Sequence, residues 1–450
     1  MGMTGAAIGF GTDWREALEM SLAGVPGPAD LTLLFASAEY AQHFPEMLAR
    51  VRAATGCRVL LGCSGQGIIG GEREIEDRPA ISVLSLALPG AWLQPLYLDQ
   101  ALLEASGDSP ELWSRAAAAV GGTPVTTAES PRSTVDVRAS EGMRAVVGVR
   151  GAGDVTGAED VAGAEGAGGG EAAGEVALDG LSACVLFADP FHLDCEGVLG
   201  NFNAAFPGVP MAGGLASSSV LEQRTYLFLN NTVYDRGAVA VAVGGCDVRT
   251  VVSQGADPIG EPWMVTASDG PVVHTIAQRP AYTVLAETVQ ALPREAQQRA
   301  SRNLLVGLAI DEYQERWGRG DFLIRNLTGA DPTSGALAVS AYPRPGQTIQ
   351  FQVRDARAAD EDLKQLLAAA RESLGSASPA GVLLCSCNGR GQGLFGVPDH
   401  DARALAEQLG PVPVAGFFCN GEVGPVGKRN FLHGFTASLA LFLPQGEPAA

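Results

Sequence analysis

A stretch near the C-terminus, Pro413–Pro425 (PVAGFFCNGEVGP), decides the fold. A short apolar run reaches Gly416, small and polar residues follow, and the single acid among them is Glu422. A second apolar segment runs from Phe431 to Leu443. This order of residues predicts a buried strand, a tight glycine-rich turn that exposes backbone N–H groups, and a return strand.

The same pattern occurs twice more, at residues 59–67 and 209–218. Another predicted strand precedes each of the three runs, at residues 31–36, 183–188 and 382–387. A helix-like segment separates the strands of each pair, at residues 40–54, 195–206 and 401–409. Such units predict parallel strands joined by right-handed crossovers, and therefore an α/β fold with mixed sheets; an α+β arrangement is the alternative. Two explanations of the similarity remain open: an internal duplication, and the general frequency of this pattern in α/β proteins.

Farther along the chain, residues 225–230 and 238–244 alternate or run apolar on either side of a polar segment. Two short apolar runs around a turn sequence predict a hairpin. We therefore expect these two strands to pair with each other.

Composition limits the class of protein. The 450 residues include 50 acids and 30 bases, for a formal charge of −20. Such a chain lacks the basic face that nucleic acids and anionic membranes require, so we expect neither partner. The eight cysteines are scattered, no signal peptide is recognisable, and no apolar run reaches the ~18 residues of a membrane span. We therefore expect a cytoplasmic protein with reduced, buried thiols.

The composition changes between residues 121 and 178. Its second half, Gly151–Leu178, contains only Gly, Ala, Val, Thr, Leu, Asp and Glu. A segment of this kind cannot bury enough apolar area to offset the entropy lost on ordering. We predict a disordered insertion at residues 121–178 that is dispensable for stability, with an interaction tail as the alternative.

Polar and small residues follow the predicted parallel strands, where ligands of open α/β sheets bind. The candidate ligand-binding residues are Cys63, Ser64, Gly65, Gly213, Gly214, Asn388, Arg390, Gly391, Cys419, Asn420, Glu422 and His433. Most offer backbone N–H groups, one is a cation and one a carboxylate, which suits a zwitterion such as an amino acid. In that hypothesis Arg390 takes the ligand carboxylate and Glu422 its ammonium. The alternative is that these two residues only bridge each other.

An enzyme is the alternative class. Cys63 or Cys419 would be the nucleophile and His433 the base. The chain lacks the convergent acid, base and nucleophile of an active site, so we expect no catalysis and no catalytic residue. Cys385 and Cys387 are too close together for a zinc knuckle and lack further ligands nearby. We expect no metal, no cofactor, and inert thiols at these two positions.

Three stretches resemble the FIST family, named for F-box and intracellular signal transduction proteins. They are Gly62–Gly70, Arg325–Val339 and the segments of Cys387–Thr436 that read CNGRG, LFG, PVAGFF, GEVGP and FLHGFT. The resemblance extends from about Leu31 to Leu443. It implies an N-terminal FIST domain at residues 31–278, which contains the insertion, and a C-terminal FIST domain at residues 279–443.

The resemblance implies a sensory module that binds a small ligand, with amino acids as the proposed class. Members occur alone, beside signalling domains or after an F-box. This chain departs from such arrangements through its Gly/Ala/Glu insertion and through the lack of a recognisable kinase, cyclase, methyl-accepting or F-box segment. We therefore expect a non-enzymatic cytoplasmic sensor that acts through a signalling protein partner. A pure protein-interaction scaffold is the further alternative.

Overall fold

A computed structural model describes residues 4–120, 180–218, 223–314 and 317–443. The predicted insertion at residues 121–178 lies outside the described residues. All described residues belong to one compact unit. They contain three copies of one supersecondary unit, which we call repeats one, two and three. Each repeat has an edge strand, a first core strand, a helix, a second core strand, a hairpin and a returning strand.

The elements of the repeats follow the chain. Repeat one comprises β1 (Gly5–Phe10), α1 (Trp14–Leu22), β2 (Leu31–Ser37), a 3-10 turn and α2 (Phe44–Thr55), β3 (Val59–Gly65), β4 (Ile68–Gly70), β5 (Arg73–Ile75) and β6 (Ala80–Leu86). Repeat two comprises β7 (Trp92–Leu98), α3 (Gln100–Ser106), α4 (Glu111–Ala118), β8 (Leu181–Ala188), α5 (Cys195–Ala205), β9 (Met211–Leu215), β10 (Leu227–Leu229), β11 (Thr232–Tyr234) and β12 (Ala238–Gly244).

Repeat three is interrupted after its edge strand, β13 (Asp247–Ser253). The inserted part comprises β14 (Ala256–Asp269), β15 (Val272–Ile276), β16 (Arg279–Pro280), α6 (Ala281–Gln290), α7 (Arg294–Asn303), β17 (Leu304–Ala309), β18 (Phe322–Asp331), β19 (Ala336–Val339) and β20 (Thr348–Arg354). Repeat three then resumes with α8 (Ala356–Leu374), β21 (Gly381–Cys387), α9 (Gly391–Phe395), α10 (His400–Leu409), β22 (Val414–Cys419), β23 (Glu422–Val426), β24 (Arg429–His433) and β25 (Ala437–Leu443).

The predicted parallel strand pairs are all present, and the α/β fold with mixed sheets is confirmed. In each repeat the returning strand, β6, β12 or β25, lies between the edge strand and the first core strand and is antiparallel to both. The inserted strands form a separate seven-stranded sheet.

Each hairpin pairs with a core strand of another repeat. The strand β4 pairs with β22, β10 pairs with β3, and β23 pairs with β9. This exchange overturns two predictions. The strand β12 does not pair with β10, whose hairpin partner is β11, and the return strand predicted at residues 431–443 is instead the two strands β24 and β25 in different sheets. Apolar alternation identifies a strand but carries no information about which sheet it joins.

Three glycines occupy one equivalent position in the three repeats. A Cβ atom on Gly62, Gly213 or Gly416 would lie 1.8, 1.9 or 1.8 Å from a carbonyl oxygen of the neighbouring parallel strand, contributed by Leu34, Leu186 and Leu384 respectively. Only glycine allows the two core strands to approach so closely. The common contact supports an internal duplication.

The three sheets share a central hydrophobic core. Phe35, Phe187 and Phe417, one from each repeat, pack together with ring centroids 5.0–5.6 Å apart. Burying each aromatic side chain contributes about 1.5–3 kcal/mol. Since the exchanged hairpins and this core join all three repeats, we expect them to fold together.

Candidate functional site

The second core strands β3, β9 and β22 end beside one another at one end of the shared core. Ser217, which follows β9, links all three ends. Its hydroxyl donates to the Phe418 carbonyl at 2.5 Å and accepts from the Gln66 amide at 2.7 Å. The Ser64 hydroxyl donates to the Ser217 carbonyl at 2.9 Å. These hydrogen bonds bring the ends of one core strand from each repeat together.

The backbone N–H groups at these ends are not the exposed donors that the sequence suggests. The amide of Asn420 donates to the Leu215 carbonyl at 3.1 Å, and the amide of Asn388 donates to the Cys419 carbonyl at 3.0 Å. The strand exchange supplies the Leu215 carbonyl from repeat two, and the Cys419 carbonyl comes from the neighbouring parallel strand of repeat three. A ligand here must therefore be recognised mainly by side chains.

The Arg390 guanidinium is fully buried and holds Asp401 in a two-pronged ion pair. Its Nε and Nη2 atoms lie 2.8 and 2.9 Å from the two carboxylate oxygens. The alternative in which Arg390 and Glu422 bridge each other is thus wrong, since the acid paired with Arg390 is Asp401. Burial raises the pKa of Asp401, but the charge and hydrogen bonds of Arg390 outweigh burial and hold that pKa below its usual range. Asp401 is therefore ionised at neutral pH.

Further acids surround this ion pair. His400 donates or accepts at both nitrogens, with Asp401 at 2.9 Å and Asp360 at 3.0 Å. Glu74, on the exchanged strand β5, accepts from the amide of Ala402 in the first turn of α10 at 2.9 Å. Burial, followed by the Asp401 charge, raises the pKa of Glu74 to about 8. The first turn of α10 thus links the hairpin of repeat one to repeat three.

Glu422 is completely buried, and both its oxygens are engaged. Oε1 accepts from the Cys419 thiol at 3.2 Å, and Oε2 accepts from the Thr436 amide at 3.0 Å. Burial raises the pKa of Glu422 to about 8. A carboxyl group that is mostly protonated at neutral pH and has no exposed oxygen does not serve as the predicted partner of a ligand ammonium.

The residues of the enzyme hypothesis do not form a dyad in the described structure. His433 Nε2 lies 3.0 Å from the Gly424 carbonyl, and burial lowers the pKa of this histidine to about 4. Cys419 contacts Glu422 and the Ser386 carbonyl, while Cys63 packs in the shared core. Burial raises the thiol pKa of both cysteines well above the usual value. The proposed base is thus neutral and hydrogen-bonded to a carbonyl, and both thiols are protonated.

The glycines among the predicted site residues lie where neighbouring groups pack closely against the backbone. Gly65 packs against Phe417, and Gly214 pairs with Glu422 between β9 and β23. Gly391 has a φ of +61°, and a Cβ there would lie 2.4 Å from the Glu76 carboxylate. These positions favour glycine for the close approach of neighbouring strands and side chains.

Two predicted asparagines lie beside the predicted Arg390 and two residues that sequence reasoning did not select, Arg354 and Phe435. Asn388 Nδ2 donates to Asn420 Oδ1 at 2.8 Å, joining the ends of β21 and β22. We call Arg354, Asn388, Arg390, Asn420 and Phe435 the strand-end site. Arg354, at the end of β20, places its guanidinium 5.0 Å from the centroid of the Phe435 ring. Its Nη1 atom also lies against Gly389, where a Cβ would be 2.6 Å away.

Three polar atoms of the strand-end site are buried without a hydrogen-bond partner among the described residues. They are Arg354 Nε, Asn388 Oδ1 and Arg390 Nη1. Buried polar groups in proteins are nearly always satisfied, so a cluster of such atoms needs a physical explanation. The atoms comprise two cationic donors and one neutral acceptor.

Cys387 and Asp401 also escaped the sequence-based selection. Cys387 Sγ accepts from the Gly389 amide at 3.4 Å, and burial raises the pKa of its thiol to about 12. Asp401 sits at the start of a helix, where an acid is usually a cap. The sequence signal that could have identified Arg354 is a basic residue at the end of an apolar strand. The strand ends that Arg354 lies beside are more than thirty residues farther along the chain, so the sequence does not show that they meet.

The described residues contain no cluster of His, Cys, Asp and Glu side chains arranged to hold a metal ion. Across the same residues, the helices that are long enough to cross a membrane are not apolar enough, and the apolar ones are too short.

Comparison with known proteins places these features in a family. The FIST N domain matches residues 30–279, and the FIST C domain matches residues 281–425. The chain is 35% identical over 418 residues to the uncharacterized protein MT0656 of Mycobacterium tuberculosis (strain CDC 1551 / Oshkosh), covering 93% of this chain and 92% of that protein. It is 33% identical over 418 residues to the uncharacterized protein Mb0898c of Mycobacterium bovis, covering 93% and 91%. FIST domains are associated with sensory and signal-transduction roles. The resemblance found in the sequence is therefore confirmed, and the chain belongs to the FIST family.

Proposed function

We propose that this protein is a non-enzymatic, cytoplasmic sensor that binds a small ligand at the strand-end site and acts through a protein partner. The observation that carries the proposal is the cluster of unsatisfied buried polar atoms on Arg354, Asn388 and Arg390. Each such atom costs about 1–3 kcal/mol if nothing contacts it. A ligand that supplies the missing hydrogen bonds would recover this free energy.

The composition of the site supports a carboxylate as one ligand group. Two guanidinium groups meet there, and arginine binds carboxylates through paired N–H groups. Amino acids, the class implied by the family resemblance, carry such a carboxylate. The protonated thiols and the neutral His433 support a role without catalysis.

The connectivity supports a signalling role. Arg390 pairs with Asp401 in the first turn of α10, and the next residue, Ala402, donates its amide to Glu74 in the hairpin of repeat one. A ligand that contacts Arg390 therefore bears on the junction between two repeats. A change in that junction is a means of reaching a partner surface away from the ligand.

A thermal-shift screen of amino acids and related acids tests the proposal. A ligand at a hundred times its Kd adds about 2.7 kcal/mol to the free energy of unfolding. Asn388→Ala should reduce the shift, since it removes an unpartnered acceptor, whereas Gln392→Ala on the exposed surface nearby should not. Arg390→Ala should weaken binding more than Arg390→Lys in calorimetric titration, because lysine keeps the charge but loses the planar fork.

Two outcomes would argue against this function. If a ligand stabilises the Asn388→Ala and Arg390→Ala variants as much as the unmodified protein, the ligand binds outside the strand-end site. A protein that binds a partner with full affinity and responds to no compound in the screen would instead be a pure interaction scaffold.

A further inference from the structure

Arg354 carries a charge that no acid in the described structure neutralises. Its side chain is half-buried, its Nε atom has no hydrogen-bond partner, and the described residues place no carboxylate within ion-pair distance of it. The next residue, Asp355, is already engaged, since it pairs with Arg299 at 2.9 Å and caps α8. In a chain of formal charge −20, an arginine without an acidic partner at a partly buried position is unexpected.

A second cation, Arg390, lies near Arg354 and adds to the positive charge at this place. Burial lowers the pKa of Arg354, and the neighbouring Arg390 charge acts in the same direction. Arg390 is itself paired with Asp401, so the two cations and one carboxylate leave a net positive charge. Other acids lie near Arg390. Glu422 is buried with both oxygens engaged, and Glu74 and Glu76 accept the backbone amides of Ala402 and Gln392. The strand-end site therefore offers positive charge and no free carboxylate.

We infer that the ligand of the proposed sensor is a hydroxy acid, a carboxylate that bears a hydroxyl group where an amino acid bears its ammonium, and that Arg354 together with Arg390 Nη1 binds its carboxylate. This inference rests on the proposed function and narrows its ligand class. It also assigns the main binding charge to Arg354, a residue outside the sequence motifs.

The acceptor without a partner, Asn388 Oδ1, favours a hydroxy acid over an amino acid. Asn388 Oδ1 has no hydrogen-bond partner among the described residues and is able to accept from a hydroxyl or from an ammonium group. A neutral amide oxygen does not neutralise an ammonium charge, which would then lie beside two guanidinium groups. A hydroxyl makes the same hydrogen bond without this repulsion.

A phosphate fits less well. A phosphate dianion presents three strongly accepting oxygens and is usually bound by several backbone N–H groups. The amides next to the site are already used, because Gly389 donates to Cys387 Sγ and Gln392 donates to Glu76. The free guanidinium N–H groups match a single carboxylate.

Pairs of isosteric acids test the inference on the full chain. We would measure thermal shifts and calorimetric Kd values for lactate and alanine, malate and aspartate, and phenyllactate and phenylalanine, all as L isomers at matched ionic strength, with inorganic phosphate as a further probe. We expect the hydroxy acid of at least one pair to bind on the order of tenfold more tightly than its amino acid.

Arginine variants locate the effect. Arg354→Gln should weaken hydroxy-acid binding on the order of tenfold or more and remove the preference over the amino acid. Arg357→Gln is the matched control, since this residue is exposed, lies three positions away and changes the charge equally. It should leave both affinities unchanged.

The outcomes separate this inference from the proposed function. Equal or tighter binding of the amino acids overturns the inference and leaves the sensor intact, as does tighter binding of inorganic phosphate. A hydroxy-acid preference that survives Arg354→Gln likewise overturns it. No binding by any of these compounds overturns the inference, while a ligand found elsewhere in the wider screen would still support the sensor.

Discussion

Repeats one and three share a backbone but differ in what they bury at their strand ends. Ser37 and Cys387 are equivalent. Each ends a first core strand, three residues after the leucine whose carbonyl oxygen contacts the shared glycine. Three residues farther along, repeat one has Tyr40 and repeat three has Arg390. In repeat one the polar groups are satisfied locally, because Ser37 accepts from the Ala80 amide at 2.9 Å and the Tyr40 hydroxyl donates to the Gly11 carbonyl.

Repeat three buries charge at the corresponding positions. Arg390 is buried against Asp401, and Glu422 takes the place that the apolar Ile68 has in repeat one. Stability alone does not require this, because well-packed apolar residues usually serve as well as a buried ion pair. The comparison shows that the two repeats keep one backbone while one packs apolar and locally satisfied groups and the other buries charged groups at the same positions.

Repeat two is intermediate. Asp189, at the position of Cys387, is buried and accepts from the Thr225 hydroxyl and the His192 amide, both at 2.8 Å. His192, at the position of Arg390, has an exposed side chain. Repeat two thus buries an acid without a buried base, and the exposed His192 places its Nδ1 atom 2.7 Å from the Asp189 carboxylate.

The largest expected effect concerns what the repeats share. Gly62→Ala, Gly213→Ala and Gly416→Ala each place a Cβ within 1.8–1.9 Å of a backbone carbonyl oxygen. Since a backbone clash of this size cannot be relieved by a side-chain rotation, we expect each variant to lose more than the ~4–5 kcal/mol that is exceptional for a point substitution. Soluble yield and urea denaturation measure this loss. Near-native stability of one variant would show that its repeat is not equivalent to the others.

The next effect separates repeat three from repeat one. Arg390→Ala leaves the Asp401 carboxylate buried without its cation, so we expect a loss of about 3–5 kcal/mol in the free energy of unfolding. Tyr40→Phe at the equivalent position removes one hydrogen bond and should cost about 1 kcal/mol.

Urea denaturation of both variants gives the two values. The double variant Arg390→Met with Asp401→Leu should recover much of the loss, because it removes both charges. Equal costs for Arg390→Ala and Tyr40→Phe would contradict the difference between the repeats.

A smaller effect should appear as a pH dependence. The folded protein raises the Glu422 pKa from 4.5 to about 8 and so holds this proton more tightly than the unfolded chain does. The contribution of Glu422 to stability is therefore greatest below about pH 4.5 and is lost as the pH rises through 8, by up to about 1.4 kcal/mol per pH unit.

Glu422→Gln removes this titration, and denaturation at pH 5 and pH 8.5 compares it with the unmodified protein. The variant should lose less stability between the two pH values. Glu72→Gln, a control at an exposed position, should retain the full pH dependence of stability. The pKa of Glu74 is also raised, but its contribution to the pH dependence is the same in both proteins. An unchanged slope in Glu422→Gln would show that Glu422 is ionised in the folded protein.

The smallest expected effect is on thiol reactivity and leaves stability unchanged. Burial raises the thiol pKa of Cys63, Cys385 and Cys419 well above the usual value, and that of Cys387 to about 12. We expect iodoacetamide to label all four at neutral pH roughly a thousandfold more slowly than free cysteine, with the partly exposed Cys387 first. Mass spectrometry of peptides after timed labelling measures the rates. Rapid labelling of Cys419 would revive the enzyme alternative.

Much of the fold could be predicted from local sequence. The three parallel strand pairs follow from apolar runs separated by helical segments. The hairpins were harder, because β4, β10 and β23 join sheets of other repeats. Strand patterns encode which face is buried, whereas strand exchange depends on contacts between distant segments.

The sequence by itself determined the family, the repeated strand–helix–strand units and the polar strand ends at Asn388 and Asn420. The tertiary structure alone decided the partners of the charges. Arg390 pairs with Asp401 rather than Glu422, and Arg354 arrives from the inserted sheet to lie beside Phe435. Residue type and spacing specify that a charge will need a partner. Which partner it finds depends on the packing of segments far apart in the chain, since burial strengthens only those electrostatic interactions whose geometry the whole fold completes.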